Sequence, residues 1–184
     1  MLSSMDLRHV PALAAAFALF GADPAAAQSA DPYAKAWAAA ESADPGATAC
    51  HNKSGDEAIA GCTAAIQSGK LSGAGLAIVF YGRGFEYQGQ NNNARAIADY
   101  SEAIRLDPSK DGAYYNRGSI YVGQKDYTRA IANYTEMIRI NPRAAAAFRY
   151  RGQAQRLLGK VTEGDADIAH ACNLDPAYCE NETQ

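Results

Sequence analysis

Residues 77–110 align without gaps on residues 111–144, and this repetition constrains the chain more than any other feature. The segment Arg95-Ala-Ile-Ala-Asp-Tyr-Ser-Glu-Ala-Ile-Arg-Leu-Asp-Pro108 returns as Arg129-Ala-Ile-Ala-Asn-Tyr-Thr-Glu-Met-Ile-Arg-Ile-Asn-Pro142. A more divergent third copy runs over 145–178 and keeps Phe148, Arg151-Gly152, Ile168, Ala171 and Asp175-Pro176. At a period of 34 residues each copy is one supersecondary unit that cannot bury its apolar face alone, so neighbouring units must stack. Ile97, Tyr100, Ala103 and Ile104 fall three and four apart, which marks one buried stripe on a helix. Glycine and alanine at fixed places let two helix backbones approach. Asp107-Pro108 and Asn141-Pro142 end the second helix of each copy. Alanine supplies 40 of the 184 residues while valine and threonine are scarce, so local propensity favours helix and argues against an all-β fold.

The pattern resembles the tetratricopeptide repeat, a helix-turn-helix unit with the signature Trp-x2-Leu-Gly-x2-Tyr followed by Ala, an aromatic and Pro. The aromatic opening the first helix is Phe80, Tyr114 and Phe148, and the small contact residue is Gly84, Gly118 and Gly152. The next aromatic is Tyr87 and Tyr121, replaced by Gln155 in the third copy. On the second helix the small residue is Ala96, Ala130 and then Gly164; the packing residue is Tyr100, Tyr134 and Ile168; the closing proline is Pro108, Pro142 and Pro176. Arg83, Arg117 and Arg151 occupy the leucine slot, where a partly snorkelled structural arginine is expected rather than a ligand-binding one. Lacking the usual tyrosine and alanine, the third copy is expected to form a looser, capping helix pair. The resemblance covers about residues 56–178 and implies an all-α, right-handed solenoid of helical hairpins.

Upstream, Ala58 and Cys62 mirror Ala96 and Tyr100 at a spacing of 38, which marks a degenerate repeat over residues 56–76, with Leu71–Gly75 as the site of the extra residues. Asp44-Pro45-Gly46 reads as a breaker that leaves this unit without a proper first helix. Within residues 28–55, an N-terminal capping segment, Asp31–Glu41 is expected to form a short helix with Tyr33 and Trp37 on one face, covering the exposed end of the stack. Residues 1–27 have the layout of a secretory signal peptide, with Arg8 before an apolar run too short to span a bilayer and a small-x-small site ending at Ala27. This predicts a periplasmic or secreted protein with no stable membrane insertion after cleavage. In an oxidising compartment the four cysteines read as two disulfides. Cys50–Cys62 would staple the degenerate unit, and Cys172–Cys179 would fasten residues 179–184, the tail, by a turn at Pro176. A metal site is the alternative, but no Cys-x2-Cys spacing exists, the two pairs lie at opposite ends of the array, and His51 and His170 read as solvated.

A formal net charge of −3 without a long basic run argues against nucleic acid as a partner. No catalytic constellation is visible and no cofactor is expected; Asp99, Glu102, Glu136 and Asp167 read as a solvated outer face. In the resembling family the first helices line a concave side that takes a peptide or protein. By spacing, the inward residues are Ile78, Tyr81 and Phe85, then Tyr115, Asn116 and Ser119, then Arg149, Gln153 and Arg156. The binding set is therefore Tyr81, Phe85, Tyr115, Asn116, Arg149 and Arg156, an aromatic patch followed by a basic one that favours an acidic segment. Tyr81 and Phe85 alternatively only pack between neighbouring first helices. Some family members grip a C-terminal carboxylate with Lys, Asn and Arg, but only Asn116 stands in a matching slot here. The expected function is a non-enzymatic interaction scaffold or adaptor of the cell envelope. A small-ligand or lipid-binding protein using the same groove is the alternative.

Overall fold

A computed structural model describes residues 31–179; the proposed signal peptide and the last five residues lie outside that range. The described residues form nine α-helices and no strand. They are α1 Pro32–Ala43, α2 Pro45–Asn52, α3 Gly55–Ser68, α4 Gly73–Gly89, α5 Asn93–Leu106, α6 Asp111–Gly123, α7 Tyr127–Ile140, α8 Ala145–Leu157 and α9 Val161–Leu174, followed by a 3-10 turn at Pro176–Tyr178. Helices α2 to α9 pair as four consecutive hairpins, α2/α3, α4/α5, α6/α7 and α8/α9, and each second helix also packs on the first helix of the next unit. The fold is thus the all-α helical-repeat stack that the 34-residue period requires.

The degenerate unit does have a first helix. Asp44 and Pro45 break the chain between α1 and α2 but also start α2, because the Asp44 carboxylate accepts the Gly46 N–H at 2.7 Å and proline suits the first helical position. The helix is short, 8 residues against 13 in α6 and α8, and Cys50 lies on it. The extra residues of the 38-residue spacing lengthen α4, which has 17 residues and is extended at its N-terminal end. Gly75 on that extension faces Ala40 of α1.

Helix α1 does not sit over the end of the stack. It packs on α2 and α4, both first helices, and its Tyr33 reaches the start of α6. There the Tyr33 hydroxyl donates to Asp111 Oδ1 at 3.0 Å and accepts the Gly112 N–H at 2.9 Å, with the Lys110 ammonium 4.2 Å above the ring. Trp37 lies against Gly82 and stacks on His51 at 4.4 Å between ring centres. His51 also meets Glu41 Oε1 at 2.7 Å, so it belongs to the α1 dock and is not a free surface histidine.

The repeated arginines form a ladder. Arg83 makes a two-pronged contact with Asp99 at 2.8 Å on both oxygens and donates to Thr63 Oγ1 of the preceding unit at 3.1 Å. Arg151 does the same with Asp167 at 2.6 and 2.8 Å and reaches Thr135 at 3.5 Å. Arg117 repeats the geometry on Asn133 and Ser101, both at 2.9 Å. Asp99 and Asp167 are therefore buried partners of arginine and not solvated residues, which the 16-residue offset across a hairpin hides from helical periodicity. Glu102 and Glu136 do lie toward solvent, paired with Arg105 and Arg139 one turn on. Asp99 holds the Arg83 guanidinium above its ordinary pKa, whereas burial beside the neutral Asn133 lowers that of Arg117.

The Asn133 rung supplies a control for the Asp99 rung. Asp99→Asn is expected to cost under about 1 kcal/mol, because an amide acceptor already serves Arg117. Asp99→Ala leaves the half-buried Arg83 fork unpaired and is expected to cost about 2 kcal/mol. Urea unfolding of both variants checks the contrast.

Candidate functional site

The row of first helices, α2, α4, α6 and α8, divides into an occupied half and an open half. In the first half α1 covers α4. Tyr81 meets the Tyr33 ring edge-on at 5.7 Å, and its hydroxyl accepts from Asn116 Nδ2 at 3.3 Å. Both residues are thereby committed inside the fold, Asn116 being only 8% exposed. Phe85 remains 36% exposed on α4.

The open half lies between α6 and α8. Tyr115, Ser119 and Val122 of α6, Tyr134 of α7 and Tyr150, Gln153, Ala154, Arg156 and Leu157 of α8 enclose a cavity of about 470 Å³. Of the six residues expected to bind, Tyr115 and Arg156 line this cavity, and the other four do not. Arg149 donates from Nη1 to the Tyr178 carbonyl at 3.0 Å, so it anchors the C-terminal 3-10 turn. Arg156 pairs with Asp165 at 2.5 Å. The basic patch expected from spacing is thus tied to partners within the fold, and the character of the cavity is aromatic.

Three tyrosines set that character. The ring centres of Tyr115 and Tyr150 lie 4.8 Å apart, those of Tyr134 and Tyr150 5.7 Å apart, all tilted. Burial pushes the Tyr134 phenol up to about 12. Burial, reinforced by the Tyr115 hydroxyl, does the same for Tyr150. Both therefore remain neutral hydroxyls at ordinary pH. Leu157 is 55% exposed at the rim, and Leu158 and Val161 come next on the α8–α9 turn at 39% and 54%. The sequence pattern assigns Tyr134 to packing, and Tyr150, which occupies a slot of the family's carboxylate grip, stands outside the expected binding set. The missed signal lies in how one copy differs from the next.

The structure contains both expected disulfides, Cys50–Cys62 and Cys172–Cys179. Among the described residues no group of three or more His, Cys, Asp or Glu side chains is placed to hold a metal ion, and no helix is long and apolar enough to cross a membrane.

Helical hairpins stacked in sequence order define a helical-repeat solenoid. Over residues 84–143 the repeats match the tetratricopeptide repeat: the TPR repeat profile matches residues 84–125 and the Tetratricopeptide repeat profile residues 112–143. No curated protein matches the sequence. Among solved structures, the first TPR of Spaghetti (RPAP3) bound to HSP90 peptide SRMEEVD is 27% identical with a TM-score of 0.54, over 58% of this chain and 86% of that one. The Arabidopsis OM64 TPR domain is 26% identical with a TM-score of 0.52, over 55% of this chain and 84% of that one. MamA shares the fold at 22% identity and a TM-score of 0.60, over 70% of this chain and 68% of that one.

Proposed function

We propose that this protein is a non-enzymatic interaction scaffold of the cell envelope that takes a peptide segment of a partner protein between α6 and α8. The observation that carries the reading is the tyrosine-lined cavity shared by two units. A similar structure, the first TPR of Spaghetti, was solved with a peptide bound, which supports a peptide as the occupant class. The carboxylate grip of some relatives is not part of the proposal, since Asn116 is turned to Tyr81 within the fold. Two disulfides fit an oxidising compartment, and with it an envelope or secreted location.

Panning a phage-displayed peptide library against the full chain tests the reading. Calorimetry of the recovered peptides should show binding weakened at least about tenfold by Tyr115→Ala/Tyr150→Ala, as expected for two truncated aromatic contacts. Trp37, the chain's single tryptophan, should keep its emission and report an intact N-terminal unit. Peptides whose affinity is unchanged in the double variant would remove the cavity from the binding site.

A further inference from the structure

The cavity between α6 and α8 has a counterpart 34 residues earlier, between α4 and α6, and the two differ in ways that specify an occupant. Tyr115 and Tyr134 repeat Tyr81 and Tyr100, so the aromatic frame is common to both. Ser119 stands where the earlier unit has Phe85, and Ala154 stands where it has Ile120. These two changes remove side-chain volume from the wall, while Tyr150 and Leu157 stand where the earlier unit has Asn116 and Gly123, which adds a third ring and an apolar rim.

A further difference concerns hydrogen bonding. The Tyr100 hydroxyl donates to Gln88 Oε1 at 2.7 Å. In the next copy Val122 replaces Gln88, which leaves the equivalent Tyr134 without that acceptor. Tyr134 is only 3% exposed, lines the cavity, and has no hydrogen-bond partner for its hydroxyl among the described residues. Among the described residues no sealed side-chain donor or acceptor is left unmet, so this hydroxyl opens onto the cavity, where an acceptor delivered by a ligand can take its hydrogen bond in place of water.

We propose that this cavity is a socket for one phenylalanine-class side chain of a partner peptide, with the Tyr134 hydroxyl donating to a backbone carbonyl of that peptide. The proposal rests on the peptide-scaffold reading above and names the chemistry it selects. A ring is favoured over an alkyl chain of similar size, because Tyr115, Tyr134 and Tyr150 already present tilted rings at 4.8 to 6.5 Å, the spacing at which a further aromatic adds to simple burial. Leu157 at the rim supplies apolar surface for the residue beside the ring.

The test uses three pentapeptides, acetyl-Ala-Ala-Phe-Ala-Ala-amide and its leucine and alanine counterparts, titrated into the isotopically labelled full chain and followed by NMR. The phenylalanine peptide should shift the amides of Ser119, Tyr150 and Ala154 at concentrations about fivefold lower than the leucine peptide. Val122→Gln restores the internal acceptor and should weaken the phenylalanine peptide about fivefold. Ser119→Phe fills the socket from within and should abolish the shifts; thermal midpoint and Trp37 emission verify that each variant folds. If Ser119→Phe fails to fold, Val122→Gln alone decides. Equal binding of the phenylalanine and leucine peptides, affinity unchanged in Val122→Gln, or no shift at these amides with any peptide overturns the proposal. The scaffold reading falls separately, on the selected peptides and the Tyr115/Tyr150 variant.

Discussion

Replacing Cys50 and Cys62 together by alanine is expected to destabilise the N-terminal unit by about 3 kcal/mol, the chain-entropy value for a loop of this length. The two cysteines are 12 residues apart and join α2 to α3. Helix α2 has 8 residues, below the length at which a helix persists without tertiary support, and its buried residues are Ala47 and Cys50 alone. Cys62 stands where the next unit has the fully buried Tyr100, so a covalent bond replaces the packing that a large ring supplies there. Loss of the bond should be felt first by α1, whose Trp37 rests against His51 of α2 and against Gly82. Trp37 emission should therefore change at lower denaturant than the far-ultraviolet signal of the remaining helices, as expected where contacts are only between neighbours. Coincident transitions at the wild-type midpoint would refute the staple. Removing Cys172–Cys179 should have the smaller effect, since that bond joins the end of α9 to a short turn.

The period carried the fold because a repeat is legible wherever apolar spacing and punctuation recur, and Gly84, Gly118 and Gly152 recur in register with their prolines. Two features escaped because local spacing does not show which helix a residue serves. Asp44-Pro45 ends α1 and equally starts α2, and only packing against α3 shows that α2 exists. Asp99 and Asp167 escaped because their partners lie across a hairpin turn, outside the three- and four-residue neighbourhood that helical patterns expose. The groove was legible in kind and not in place. Spacing named Tyr115 and Arg156, which line the cavity, yet nothing in it showed that α1 covers α4 or that the cavity lies between α6 and α8.

The third unit is closely packed where the sequence suggested looseness, and the reason supplies the second large expected effect. Gly152 of α8 and Gly164 of α9 face each other so closely that a Cβ on either would lie 2.6 Å from the carbonyl oxygen of the other. Glycine in place of the usual alanine thus permits a nearer approach of two backbones. Gly152→Ala should destabilise the unit by about 3 kcal/mol, because the obstruction is backbone that no rotamer change can relieve. The same substitution at Gly118 meets the Tyr134 ring at 2.9 Å, a side chain with some freedom to move, and should cost less. Gly123→Ala, with nothing within 4 Å, should be stabilising by about 0.5 kcal/mol through the unfolded chain. Denaturant midpoints falling in the order Gly123→Ala, wild type, Gly118→Ala, Gly152→Ala would establish the contact, and a Gly152→Ala midpoint at the wild-type value would refute it. Because Tyr150 and Ala154 lie on the same helix as Gly152 and wall the cavity, Gly152→Ala should also weaken peptide binding at temperatures where the rest of the array is still folded. A backbone contact on one face of α8 thereby holds the socket on the other.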